Sequence, residues 1–116
     1  TTGATMSYLT YSLATNPEKQ EKLNREIMRV KKETGKLDHE SIHQIKYLDA
    51  CINESLRLYS IGGRLERQVT KTITLDGYTF EKGTSVMIPV YAMHHDEKYF
   101  ENPYECIPER YLTMDK

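Results

Sequence analysis

The stretch Asn53-Glu54-Ser55-Leu56-Arg57-Leu58 constrains this chain more than any other. Glu54 and Arg57 stand three apart, so on a helix they share a face and can pair. Leu48, Ile52, Leu56 and Tyr59 recur at roughly every fourth position and are expected to form the buried stripe of that helix. Two readings of the charged pair are open. It is either a surface ion pair on an ordinary helix, which is worth little, or a buried pair beside the apolar stripe. The buried reading needs more partners, because a guanidinium has five donors to satisfy. Arg110, in Pro108-Glu109-Arg110-Tyr111, is the candidate third member. On Glu54 and Arg57 alone, the surface pair is the plainer reading.

The length, 116 residues, suits one modest domain. Hydrophobic residues make up 38% and the mean hydropathy is −0.68, which is polar for a domain with a full core. Sixteen basic and seventeen acidic residues nearly cancel, so no strongly basic face argues for nucleic acid or an acidic membrane surface. Cys51 and Cys106 make no disulfide framework and fit free thiols in a reducing compartment. No apolar run approaches a membrane span, and no signal peptide is visible. The chain opens on Thr1-Thr2-Gly3, which suits an excised segment whose anchor, if any, lies outside it.

Met6, Leu9 and Leu13 follow a helical spacing, with Tyr8 and Tyr11 near the same side. Asn16-Pro17 then punctuates: Asn16 is expected to cap the next helix and Pro17 to open it. Leu23, Ile27 and Val30 mark that helix's inner face, and Thr34-Gly35 its stop, with Lys31 and Lys32 in the last turn. Asp38 is expected to cap a short helix to about Gln44. The helix carrying Glu54 then runs roughly from Tyr47 to Tyr59, and Ile61-Gly62-Gly63 breaks it. Two adjacent glycines allow sharp turning, close approach to a bound group, or a simple stop. From Arg64 the pattern is strand-like. Residues 72–80 read as a hairpin around Asp76-Gly77. Lys82-Gly83 is a turn, and Val86-Met87-Ile88 reads as a buried strand ended by Pro89. Tyr91 to His95 suits a short helical turn, and Phe100 to Lys116 mostly loop, with Pro103 and Pro108 blocking helix growth. Helices first and small strands later give an α+β class, mainly α.

Motifs with direct chemistry are scarce. In His94-His95-Asp96-Glu97 neighbouring side chains diverge, which makes a poor metal cage. Cys106 has no basic neighbour and no Cys-x-x-Cys partner, so it reads as an idle thiol. There is no Gly-rich phosphate loop and no Gly-x-Ser-x-Gly elbow.

Taken together and in order, the Glu-x-x-Arg helix, Gly63-Arg64-Leu65-Glu66-Arg67, the Asp-Gly hairpin and Pro-Glu-Arg-Tyr closely resemble the haem-thiolate monooxygenases, the cytochrome P-450 family. The likeness spans nearly the whole chain and is nearest to the animal microsomal drug- and steroid-oxidising group. It implies a partial domain over residues 1–116, part of a larger haem-binding fold. Thr1-Thr2 resemble the end of the family's acid-Thr-Thr motif, with Thr1 the hydroxyl that helps deliver protons. Glu54, Arg57 and Arg110 resemble its structural triad, and Tyr111 stands where Phe is usual. Arg67 resembles the arginine that pairs with a haem propionate. Ile61, Gly62, Gly63 and Arg64 fall where the family lines its substrate pocket, the glycines leaving room. Ser60 stands where Pro is common, which implies a looser helix exit.

One departure matters most. The family's haem ligand is a Cys in a Phe-x-x-Gly-x-x-x-Cys-x-Gly loop beyond Pro-Glu-Arg-Tyr, and Cys106 precedes Arg110 with no Gly nearby. No residue of this chain is therefore expected to ligate the iron. The resemblance implies an enzyme that inserts one oxygen atom into a small apolar substrate. Electrons from NADPH would arrive through a reductase, and the whole protein would sit on the cytoplasmic face of the endoplasmic reticulum membrane through an upstream anchor. The chain by itself is expected to be inactive. Two other readings stand beside this one: a truncated, non-catalytic chain acting through protein contacts, and an unrelated α+β binding module.

Overall fold

The structure, a computed structural model, describes residues 1–113. The first half is helical. Helix α1 (Thr2–Ala14) buries Leu9 and Ser12, while the hydroxyls of Ser7 and Thr10 donate back to the carbonyls of Gly3 and Met6. Such back-bonding satisfies the hydroxyls, at a slight cost in helix stability. A two-residue connection, Thr15-Asn16, leads into α2 (Pro17–Thr34). Pro17 takes the first position, where its missing N–H is no loss. Asn16 holds the cap position but does not cap. The tight turn aims its amide backward, and Nδ2 donates to the Ser12 carbonyl at 2.8 Å.

Leu23 and Val30 of α2 are buried, and Ile27 packs beside them. Its outer face carries the pairs Glu21–Arg25 and Arg29–Glu33. Gly35 ends the helix with φ +75°, a conformation that suits glycine. Helix α3 (His39–Ile42) is short. Asp38 Oδ1 accepts from Ser41 N–H, and Ser41 Oγ accepts from Asp38 N–H, a reciprocal capping box. It stops before the expected Gln44, because the next bonds tighten to i→i−3.

Helix α4 (Lys46–Leu58) crosses α1 and α2. The apolar core lies between these three helices: Leu9, Leu23, Val30, Ile45, Tyr47 and Cys51, with Leu13, Ile27, Leu48 and Ile52 at its margin. The expected stripe of α4 is therefore displaced. Its buried residues are Tyr47, Ala50, Cys51, Glu54, Ser55, Arg57 and Leu58. Leu48 and Ile52 are half-buried flanks, Leu56 is exposed, and Tyr59 stacks on Tyr8 at 4.8 Å. Residues 94–107 wrap over the charged face, so that face turns inward.

The strands form two separate antiparallel pairs. Strand β1 (Leu65–Gln68) pairs with β4 (Ser85–Ile88), Leu65 opposite Ile88. Strand β2 (Ile73–Leu75) pairs with β3 (Tyr78–Phe80) around Asp76-Gly77, whose φ values of 49° and 82° match a type I′ turn. Strand β4 is not the buried strand expected. Met87 and Ile88 are exposed, because β4 has one neighbour strand and no layer covers it among the described residues.

Helix α5 (Val90–His94) follows Pro89. Within the stretch expected to be mostly loop, α6 (Arg110–Thr113) forms a single helical turn. Pro108 does not block it, because it sits just ahead of the helix, where proline is tolerated. The last three positions of that expected loop, 114–116, lie outside the described residues. The fold is α+β, mainly α. Among the described residues, no helix is long and apolar enough to cross a membrane.

Candidate functional site

Glu54 is the most enclosed side chain of α4, with 0% of its surface exposed. Arg57 reaches it along the same face: Nε donates to Oε2 at 2.8 Å and Nη2 to Oε1 at 2.9 Å. Arg110, at the start of α6, donates from Nε to Oε1 at 3.2 Å. The Ile107 N–H donates to the same oxygen at 2.8 Å. The structure thus brings Glu54, Arg57 and Arg110 together, although 56 residues separate the first from the last.

Arg57 has further work. Nη1 donates to the carbonyls of His94 at 2.7 Å and Pro103 at 2.6 Å, and Nη2 donates to Glu105 O at 3.2 Å. All five donors are placed, which a buried guanidinium requires. Phe100 lies under both arginines, its ring centre 5.0 Å from the Arg57 guanidinium carbon and 5.9 Å from that of Arg110. The cluster ties α4 to residues 94–107 and to the start of α6.

A second network, beside the first, escaped the sequence reading. Glu109 Oε1 accepts from Lys22 Nζ at 2.7 Å and from the Tyr47 hydroxyl at 3.0 Å, with Lys19 Nζ 3.6 Å from Oε2. Burial pushes the Glu109 carboxyl up, but the hydrogen bond from Lys22, its own backbone, Tyr47 and the charge of Lys19 outweigh it and hold it at about 2. Burial and the bond to Glu109 raise Tyr47. The only sequence cue was the Glu beside Arg110.

After α4 the chain passes through residues 61–64 into β1. Ile61, Gly62, Gly63 and Arg64 are all exposed. The backbone bends at Ile61, Gly62 and Gly63, and neither glycine needs a left-handed φ to do so. A Cβ added at Gly63 would meet nothing within 4 Å, and at Gly62 only the Arg64 carbonyl at 3.9 Å. What the glycines leave is open space. Ser60, which stands where the resemblance has Pro, makes hydrogen bonds at this exit. Its Oγ lies 2.8 Å from His94 Nδ1 and within 3.3 Å of the Leu56 and Arg57 carbonyls.

Arg67 points outward from β1. Nη1 donates to the neighbouring Glu66 carbonyl at 2.8 Å, and among the described residues Arg67 makes no ion pair. Thr1 heads α1 as its N-cap, with no side-chain cap bond. The structure does not bring Thr1 into the Glu54 cluster.

Comparison with known proteins places these features in a class. The sequence matches the Cytochrome P450 family over residues 1–116, and the chain belongs to that family. It is 41% identical to Cytochrome P450 3A14 of Cavia porcellus, 42% to Cytochrome P450 3A41 of Mus musculus and 39% to Cytochrome P450 3A7 of Homo sapiens. Each match runs over 116 residues, the whole of this chain, and covers 23% of the relative. The chain therefore spans about a quarter of the length of the curated relatives it matches. An unrelated binding module is excluded.

The family implies a haem, and the residues present fit it in part. Arg67 offers an exposed guanidinium with no carboxylate partner among the described residues, the donor set a propionate takes. The cysteines do not fit the iron. Burial, then the nearby Cys106 and Glu109, pushes the Cys51 thiol up to about 12. Burial and the charge of Glu54 likewise raise Cys106. A thiolate ligand needs the opposite shift.

Proposed function

We propose that this chain is the triad-bearing segment of a haem-dependent monooxygenase domain that inserts one oxygen atom of dioxygen into a small apolar substrate. The second oxygen atom leaves as water, with two protons and two electrons. The electrons come from NADPH through a reductase, and the protein works at the cytoplasmic face of the endoplasmic reticulum. When bound, the haem supplies the oxygen activation and the oxidation. The observation that carries the reading is the buried Glu54–Arg57–Arg110 cluster, from whose helix the exposed 61–67 segment leads out.

The residues divide the labour. Glu54, Arg57 and Arg110 fix the scaffold. Ile61, Gly62, Gly63 and Arg64 line the substrate pocket, and the glycines make it roomy. The Arg67 guanidinium holds a propionate. The Thr1 hydroxyl, free of any cap bond, passes a proton toward the oxygen. The chain alone does not turn over and holds no haem through a thiolate. A thiolate Soret band in a reduced, carbon-monoxide-treated sample of the isolated chain would contradict that.

The full-length protein tests the rest. Arg67→Ala is expected to weaken haem retention by roughly tenfold or more, the scale of a lost charge-assisted bond. Haem transfer to an acceptor protein measures it. Thr1→Ala is expected to retain haem and lower the product formed per NADPH consumed. Unchanged haem transfer in the first variant and unchanged coupling in the second would remove these assignments.

A further inference from the structure

Helix α5 holds the start of the 61–64 segment at two points. The Tyr91 N–H donates to the Gly63 carbonyl at 3.1 Å. Three residues on, His94 Nδ1 lies 2.8 Å from Oγ of Ser60, two residues beyond the end of α4. Either atom can donate, according to the imidazole tautomer. The other contacts of Ser60, to the Leu56 and Arg57 carbonyls, are longer at 3.3 and 3.2 Å. The His94 ring is itself positioned. Its backbone carbonyl accepts from Arg57, and Phe100 meets the ring edge-on at 6.3 Å. Both Ser60 and His94 are half-buried, which shields their bond from water.

Among the described residues, no other hydrogen bond holds Ile61–Arg64. Ile61, Gly62, Gly63 and Arg64 are all exposed, and a Cβ added at either glycine would meet nothing closer than 3.9 Å among the described residues. Fixing the glycine-bearing stretch at these two bonds restricts the backbone freedom it would otherwise keep. A proline at position 60, as in the resemblance above, would stiffen the exit through its ring. A serine gives that up and makes a hydrogen bond to α5 instead.

We propose that Ser60 and His94 form a latch that sets the placement of Ile61–Arg64, and through it the face that an apolar substrate presents for oxidation. This rests on the reading that 61–64 line the pocket. Ser60 and His94 are positioning residues: neither touches substrate. The latch governs which carbon is oxidised more than whether oxidation occurs.

The test uses the haem-loaded full-length protein with its reductase and progesterone, an apolar steroid with several oxidisable positions. Ser60→Ala and His94→Leu are each expected to shift the ratio of hydroxylated products about threefold or more, on the scale of one hydrogen bond. Their double variant is expected to shift it no further than either alone, since both remove the same bond. His94→Asn, which keeps a polar atom near the Nδ1 position, is expected to restore the ratio partly. Amide exchange at Tyr91 is expected to quicken in Ser60→Ala and His94→Leu, a readout independent of turnover. If His94→Leu does not load haem, Ser60→Ala and the exchange measurement decide.

Gly63→Val separates the two layers of the argument. A product ratio unchanged by Gly63→Val overturns the pocket reading. A ratio changed by Gly63→Val but not by Ser60→Ala or His94→Leu, or additive shifts in the double variant, overturns the latch.

Discussion

Glu54 accepts four hydrogen bonds from three residues and has no contact with water. Removing one partner of a buried charged pair strands the others, a loss of about 3–5 kcal/mol. Glu54→Gln is expected to fall in that range in the full-length protein. Arg57→Lys falls with it, because an ammonium has three donors and cannot serve Glu54 and the carbonyls of His94, Pro103 and Glu105 together. Arg110→Lys is milder, about 1 kcal/mol, since Arg110 is partly exposed and its bonds are long at 3.2 and 3.5 Å. Thermal melts with haem release as the signal rank the three, and equal losses would undo this account. Glu109 gives a pH test. Its carboxyl titrates at about 2 when folded against an ordinary 4.5. Its share of stability is therefore complete above about pH 4.5 and disappears as pH falls through about 2. Glu109→Gln removes that share. The stability gap between native protein and variant is expected to stay constant above pH 5 and to shrink below it.

At the scale of elements, the legible parts were those set by neighbours in sequence. The Gly35 stop, the Asp38 cap and the Asp76-Gly77 hairpin all stand where local signals put them. Gly35→Ala forces a Cβ into the left-handed region and is expected to lose about 1 kcal/mol. Asp38→Ala loses a similar amount with its cap. Denaturant melts of the two variants and their double variant check both, and the losses should add because the sites share no partner. The illegible parts were set by distant chain. The inward face of α4 depends on residues 94–107 folding over Glu54 and Arg57, and no helical periodicity reveals that. The exposure of β4 depends on what lies on each side of it, and an apolar run reads the same either way. The Ser60–His94 bond joins residues 34 apart, and only coordinates disclose it. The three triad members were named from type, spacing and family likeness. Their further partners, Phe100 under the two arginines and the Ile107 N–H on Glu54, left no mark in the sequence.

At the scale of the molecule, the described elements do not close into a ball. The radius of gyration is 18.5 Å and the long axis 57 Å, where a compact chain of this length has a radius of about 13 Å. Met6, Met87, Tyr91, Tyr99 and Tyr104 are all at least half exposed. The chain on its own is therefore expected to bind a hydrophobic dye and to associate. Light scattering checks this, and a monodisperse, dye-silent monomer would count against it.

The distance in sequence between Glu54 and Arg110 also orders events on the ribosome. At usual synthesis rates of roughly 5–20 residues per second, the acidic residue emerges about 3–11 s before the second basic one. For that interval the nascent helix carries an acid whose enclosure is not yet built, so it cannot settle into an apolar setting early. Translation must run past the prolines at 103 and 108 before this part of the polypeptide can commit.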